Sequence, residues 1–254
     1  MDDGEWLRDL VRRAGEHALA GASRLRWEYK ADASPVTNLD REVEALLRDA
    51  IRDRFPADAI WGEEAGGERR LRGRTWVLDP IDGTTNLVLG IPIWAVSAGL
   101  VIEGVPALGA IFQPITQELF WFEAGQGAFR NGERLQVATA DLGGDDTIAV
   151  AYEAFRILDV ADVPGRMRSL GSVVAHLAYV ARGAFRAAVG YLLQLHDLGA
   201  AYGLVREAGC AAEWLSGGEA PLTYWFEHAR NDEPLLVGPG PAIRTLRSRL
   251  RRKG

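Results

Sequence analysis

The sequence predicts an α+β fold, and three observations carry that expectation. Two amphipathic helical segments open the chain and end near residue 55. Short apolar runs separated by turn residues follow as far as Val137, the pattern of an antiparallel meander. Beyond residue 143, strand-like and helix-like segments alternate.

In the first helix, Trp6, Leu7, Leu10, Val11, Ala14 and Ala18 recur at helical spacing. A loop, residues 30–37, precedes a second helix from about Asn38 to Phe55. That helix keeps Val43, Leu46, Leu47, Ala50 and Ile51 on one face and stops at Pro56. Residues 75–78 form a short apolar strand that ends in Asp79-Pro80. The meander has apolar runs at 95–102, 107–113 and 118–123, and Asn131-Gly132 marks a hairpin turn. Residues 141–146, Asp-Leu-Gly-Gly-Asp-Asp, form the expected seam between an N-terminal half (1–143) and a C-terminal half (144–254). In the second half, strands are expected at 147–152, 184–191 and 235–237. Helices are expected at 172–182 and at 197–208, the latter closed by Gly209. A C-terminal helix carries Ile243, Leu246 and Leu250 on one face.

The 254 residues suffice for one large domain or two modest ones sharing a core. Acidic residues number 35 against 29 basic ones, a net charge of -6, so the global basic footprint of a nucleic-acid binder is absent. The single cysteine, Cys210, excludes an internal disulfide and a thiolate zinc cage, and its apolar neighbours read as packing. No apolar run reaches the ~20 residues of a membrane span. The acidic first residues lack the pattern of a signal peptide, so a cytoplasmic location is expected.

Chemistry concentrates in residues 76–86, Trp-Val-Leu-Asp-Pro-Ile-Asp-Gly-Thr-Thr-Asn. An apolar strand delivers Asp79 and Asp82 into a turn where Pro80 fixes the backbone and Gly83 permits close approach. Thr84, Thr85 and Asn86 suit a helix start, whose free N–H groups favour an anion. Hard oxygen ligands therefore stand beside a phosphate cradle, the set a magnesium ion prefers. A plain Asp-rich turn accounts for Gly83 but not for two acids followed by Thr-Thr-Asn. Two further acids are compatible with the same cluster. Glu63 follows a strand-like stub, although Gly-Glu-Glu also commonly opens a helix. Asp197, in His196-Asp197, also reads as a helix N-cap.

Taken in order, Glu63, the Asp79-Pro-Ile-Asp-Gly-Thr-Thr-Asn86 turn and Asp197 resemble the inositol monophosphatase family. The turn matches the family signature over eight unbroken residues. The second motif, Trp-Asp-X-Ala-Ala in the family, is looser here: His196 replaces tryptophan and Gly199-Ala-Ala follows. Resemblance extends to 34–40 (Ser-Pro-Val-Thr-Asn-Leu-Asp), 125–132 (Gly-Gln-Gly-Ala-Phe-Arg-Asn-Gly) and Glu207-Ala-Gly209, and so spans most of the chain.

The resemblance implies a layered αβαβα sandwich, a homodimer, and lithium-sensitive hydrolysis of a small phosphate monoester by metal-activated water. Two to three magnesium ions would be held by Glu63, Asp79, Asp82, Asp197 and the Ile81 carbonyl. Thr84 with Glu63 would orient and help deprotonate the water, with Asp40 behind Thr84. Gly83 and Thr84 would give N–H groups to the phosphate, and Lys30 would lie on a loop over the site. Family members selective for inositol phosphate carry a glutamate seven residues before the second-motif aspartate. Here that position is Gly190, with Tyr191 or Gln194 as possible replacements in substrate binding, so a shallow preference among polyol phosphates is expected. Relatives acting on fructose 1,6-bisphosphate, histidinol phosphate or adenosine 3′,5′-bisphosphate are alternatives. So, in another class, is a non-catalytic metal-binding regulator. His196 adjoins the site and is expected to pack where the family has tryptophan, with contact to substrate as the alternative, and the other histidines are expected to be structural or solvated.

Overall fold

A computed structural model describes residues 1–31 and 33–253. Asp32, in the loop expected over residues 30–37, lies outside the described residues. Helix α1 (Asp3–Gly21) is followed by the hairpin β1 (Trp27–Tyr29) and β2 (Pro35–Thr37), then by α2 (Asn38–Arg54). Next come β3 (Ala59–Gly62), β4 (Gly66–Gly67), β5 (Arg74–Asp82), α3 (Thr84–Leu89), β6 (Ala95–Ile102), β7 (Val105–Gln113), β8 (Glu118–Glu123), β9 (Gly127–Arg130) and β10 (Glu133–Leu135). Strands β3 to β10 form an eight-stranded sheet in the order β10-β9-β8-β7-β6-β5-β3-β4, antiparallel except for the parallel pair β3–β5.

The second half contains β11 (Thr147–Val150), α4 (Tyr152–Ile157), β12 (Leu158–Asp159), β13 (Arg166–Arg168), α5 (Val173–Ala181), β14 (Ala187–Gly190), α6 (Leu195–Leu198), α7 (Ala201–Glu207), β15 (Ala211–Trp214), α8 (Tyr224–Glu227), β16 (Leu235–Gly238), α9 (Gly240–Arg249) and β17 (Arg251–Arg252). Its five-stranded sheet runs β13-β11-β14-β16-β15.

Alternating side chains on the strands sort the core into layers. Trp76, Leu78, Val96, Ala98 and Phe112 turn one face of the large sheet to Leu7, Leu10 and Val11 of α1 and Val43, Leu47 and Ile51 of α2. On the opposite face, Val77, Ile111, Phe120 and Phe122 meet α5 and α7 through Leu177, Ala178, Tyr202 and Val205. Those helices also cover Ala149, Ala188 and Val237 of the smaller sheet. The far side of that sheet, Ile148, Val150, Val189 and Leu236, packs on Ile243 and Leu246 of α9. The result is an αβαβα sandwich. Fully burying each Leu or Val side chain contributes roughly 1.5–3 kcal/mol, so each interlayer face is substantial.

Both opening helices lie where periodicity placed them, and the Asn131-Gly132 turn has both residues at positive φ (48° and 87°), as a two-residue hairpin requires. Several expectations need correction. The strand expected at 75–78 continues to Asp82, so both acids belong to β5, and the β5–β6 register is irregular between Asp79 and Asp82, around Pro80. The strand expected at 147–152 ends at Val150, and Tyr152 opens a helix instead. The strand expected at 184–191 is confined to 187–190. The helix expected at 197–208 is two helices, with a break at Gly199-Ala200. No helix among the described residues is long and apolar enough to cross a membrane.

The break follows from close approach. A Cβ on Gly199 would come 2.6 Å from Val77 Cγ1 and 3.2 Å from the Val77 carbonyl oxygen. Gly99 and Gly109 are paired neighbours on β6 and β7, and they leave the sheet surface bare at this point. A Cβ on Gly99 would stand 2.3 Å from the Gly199 oxygen, and one on Gly109 would stand 2.9 Å from Ala200 Cβ. The backbone of 199–200 therefore rests directly on the sheet, which brings the preceding helix, with Asp197, against the end of β5.

Candidate active site

A cavity of about 470 Å³ opens where β5, α3, α6 and the β14–α6 connection meet. The carboxylate oxygens of Asp79, Asp82 and Asp197 lie within 4.8 Å of one another. Asp79 is 1% exposed, and its Oδ1 has no hydrogen-bond partner among the described residues. Burial, then the charges of Glu63, Asp82, Asp197 and Asp40, hold the Asp79 pKa well above the usual carboxylate range. Asp82 is pushed up to about 7 by burial and Asp197, against the lowering effect of its hydrogen bonds from Ser172, Val174 and Val173. Burial also raises Asp197, partly offset by His196 and by the Gln194 N–H. Several buried anions this close repel one another unless a proton or a cation intervenes. A divalent ion with oxygen preference fits these donors, and the orphaned Asp79 Oδ1 is an atom such an ion would partner.

Glu63 follows β3, the parallel neighbour of β5, and its N–H donates to the Leu78 oxygen at 3.2 Å. Buried Glu44 of α2 shapes this turn, accepting from the Glu64 and Ala65 N–H groups at 2.7 and 3.0 Å. Lys30 Nζ donates to Glu63 Oε1 at 2.9 Å and to Glu64 Oε1 at 2.6 Å. Burial opposes the Lys30 charge, but the two glutamates outweigh it and hold the pKa above its ordinary value. Thus Lys30 does reach the cavity, paired with acids.

Asp197 is not the N-cap. Gln194 is, and Asp197 sits three residues on, its Oδ2 accepting from the Gln194 N–H at 2.6 Å. The same carboxylate belongs to the acidic cluster.

Asp40 is fully buried at the start of α2, where Thr37 donates to its Oδ2 from N–H (2.8 Å) and hydroxyl (2.5 Å). Burial raises the Asp40 pKa, and the bonds from Thr37 and Thr84 counteract it. Thr84 Oγ1 lies 2.9 Å from Asp40 Oδ1 and 2.9 Å from the Ile81 carbonyl oxygen, both acceptors. Its single proton serves one or the other, so its lone pairs remain able to accept a hydrogen bond. Gly83 is the left-handed N-cap of α3 (φ 94°), and a Cβ there would press on the Ile93 oxygen at 3.1 Å. First-turn N–H groups of a helix have no intrahelical acceptor. Those at Gly83 and Thr84 border the cavity, together with Tyr191 and Gln194.

Sequence reasoning missed three contributors. Ser172, the N-cap of α5, donates to Asp82 Oδ2, which also accepts from the Val174 N–H at 2.7 Å. Glu153 of α4 lines the cavity, with no ion pair among the described residues. Glu44 is the third. Only Ser172 carried a local signal, as a serine before an apolar helix. His196 departs from the expectation of packing: its ring faces the cavity, with a nitrogen within 4.8 Å of carboxylate oxygens of Glu63 and Asp79. The expected bystanders agree with their surroundings. His176 accepts from the Leu170 N–H at 2.8 Å and is pushed down to about 4 by burial, and Cys210 is buried and pushed up to about 12.

Comparison with known proteins adds four findings. The family profile described as "Inositol monophosphatase family" matches residues 5–235. A Mycobacterium tuberculosis protein named histidinol-phosphatase is 36% identical over 215 residues, covering 79% of this chain and 82% of that one. The Escherichia coli Nus factor SuhB is 37% identical over 196 residues, covering 72% and 73%. Among solved structures, a Thermotoga maritima IMPase superposes with a TM-score of 0.83 at 28% identity, covering 98% of each chain.

Proposed function

Because the chain belongs to the inositol monophosphatase family, a family of phosphatases, we propose that it hydrolyses the phosphate monoester of a small alcohol with two to three magnesium ions. The observation that carries this reading is Asp79: a fully buried carboxylate with an unpartnered oxygen, ringed by Glu63, Asp82 and Asp197. Glu63, Asp79, Asp82, Asp197 and the Ile81 carbonyl would hold the ions. Bound there, they would neutralise the ester's charge, lower the pKa of a water and stabilise the leaving alkoxide.

The chain's own groups supply position. Thr84, with its proton committed to Asp40 or Ile81, accepts a hydrogen bond from the attacking water and fixes its direction. Glu63 takes up the water's proton, released from Lys30 as substrate enters. The N–H groups of Gly83 and Thr84 hold the phosphate for in-line attack. Among the described residues, no side chain lining the cavity has the setting of a covalent nucleophile, which favours direct attack by water.

The leaving group is less constrained. Position 190 carries no side chain, and a Cβ there would stand 2.5 Å from Leu193 Cδ1, so no carboxylate reaches the ring hydroxyls of an inositol from it. That favours broad use of inositol, sugar and polyol phosphates. Glu153 favours a second reading, an alcohol bearing a cationic amine such as histidinol, the substrate in the name of the Mycobacterium relative. A role as a non-catalytic regulator is disfavoured by the acidic cluster beside an intact Thr84–Asp40 pair. Phosphate release from inositol 1-phosphate, fructose 1,6-bisphosphate and histidinol phosphate, with magnesium and with EDTA, tests the reading. No release from any ester at saturating magnesium rejects it.

A further inference from the structure

His196 stands where the resembled family motif has tryptophan, yet its ring does not behave as packing. It is only 8% exposed, and neither nitrogen makes a hydrogen bond among the described residues. A buried structural imidazole ordinarily finds a partner, as His176 does with the Leu170 N–H. One His196 nitrogen instead converges with carboxylate oxygens of Glu63 and Asp79, all three within 4.8 Å of one another. Asp79 Oδ1 is a fully buried oxygen without a partner at the same point, whereas the His196 ring faces the cavity. The three residues come from three elements: the end of β3, β5 and α6. Their donor atoms lie at a separation that one ion can span.

We propose that His196 donates a ring nitrogen to a cation held with Glu63 and Asp79, making this position a mixed nitrogen–oxygen site. The neighbouring trio Asp79, Asp82 and Asp197 offers oxygen alone. The two positions therefore differ in preference: the all-oxygen one suits magnesium, and imidazole tilts the other toward zinc and cobalt and, less strongly, toward manganese over magnesium. Asp79 borders both, so an ion in one position is felt in the other. The inference rests on the reading of this cluster as a cation centre, and its test separates the two.

The full chain is titrated to saturation with Mn2+ and examined by electron spin-echo spectroscopy, with free Mn2+ measured in parallel. Nitrogen modulation from a directly bound 14N is expected in the wild type. It disappears in His196→Gln and in His196→Trp, each checked for native circular dichroism. Competition with Mg2+ should show the preference for Mn2+ falling by roughly tenfold in both variants. Bound Mn2+ without nitrogen modulation in the wild type overturns the role of His196 and leaves the cation centre standing. Modulation that persists in a folded variant overturns it equally. Failure of Mn2+ to bind at all overturns both.

Discussion

The Ser172 hydroxyl donates to Asp82 Oδ2, tying a strand-end carboxylate to the start of a helix 90 residues later in the chain. The same hydroxyl oxygen accepts from the Ala175 N–H at 3.0 Å, so one side chain both caps α5 and fixes a cavity acid. Ser172→Ala should cost about 1–2 kcal/mol of stability in urea unfolding. It should also weaken magnesium binding by roughly 10-fold, as loss of a ligand's outer partner does. Unchanged values of both would contradict the dual role.

Asp79→Asn and Asp197→Asn should each reduce turnover by about a thousandfold or more, over 4 kcal/mol of barrier. Both variants should stay folded, because each removes repulsion from the cluster. Phosphate release at saturating magnesium is the measurement, and near-normal rates from either would remove that residue from the site.

The pH dependence follows from the raised carboxylates. Asp82 titrates near 7 in the folded chain, against 3.8 as its ordinary value, and Asp79 and Asp197 are raised as well. Between those values the folded state holds protons that the unfolded state has released, so stability without metal falls as pH rises from about 4 to about 7. A bound ion replaces those protons. The rise in Tm on adding magnesium should therefore grow from pH 5 to pH 7.5 or so. Thermal melts in EDTA and in magnesium across that range check this, and Asp82→Asn should flatten the EDTA curve. A magnesium effect that shrinks with pH would refute the assignment.

Selectivity should be shallow among neutral alcohols. With no carboxylate at position 190, kcat/KM for inositol 1-phosphate should exceed that for simple polyol phosphates by less than ~1,000-fold, about 4 kcal/mol. Glu153→Gln should lower kcat/KM for histidinol phosphate by about tenfold and leave the neutral esters within twofold or so. An equal loss on every ester would deny Glu153 a part in substrate choice.

Gly99→Ala should be severe for a residue so far from the chemistry. The added Cβ would lie 2.3 Å from the Gly199 oxygen, a backbone atom that cannot move without shifting α6. A cost of about 1–3 kcal/mol in denaturant unfolding is expected. Weaker metal binding should accompany it, because Asp197 is displaced. A fully stable variant with normal metal affinity would show that the seat on the sheet is unimportant.

The parts legible in the sequence were those with local causes. Apolar periodicity placed α1 and α2, Asn131-Gly132 announced its hairpin, and Thr84-Thr-Asn86 announced a helix start just after the two acids, which lie in β5 rather than in a turn. The illegible parts depend on partners far along the chain. Nothing near Glu153 marks it, because it reaches the cavity only through the packing of α4 on the smaller sheet. The break at Gly199-Ala200 interrupts an apolar run that reads as continuous helix, and its cause is a pair of glycines about 100 and 90 residues earlier. Ser172 signalled a cap, but its second role depends on Asp82, which only the folded chain brings near. Asp197 read locally as a cap and is instead the residue the cap faces.

The bare patch at Gly99 and Gly109 has a mechanical consequence. Glu63, Asp79 and Asp82 ride on the large sheet, whereas Asp197 rides on a helix lying across it, seated where Gly199 meets Gly99 and Val77. An ion shared between Asp79 and Asp197 spans that contact, so its binding energy also resists separation of the two layers. Occupancy of the cavity and slow amide exchange in α7 should therefore rise and fall together, and a chelator would loosen a helix that contributes none of the cluster's carboxylates.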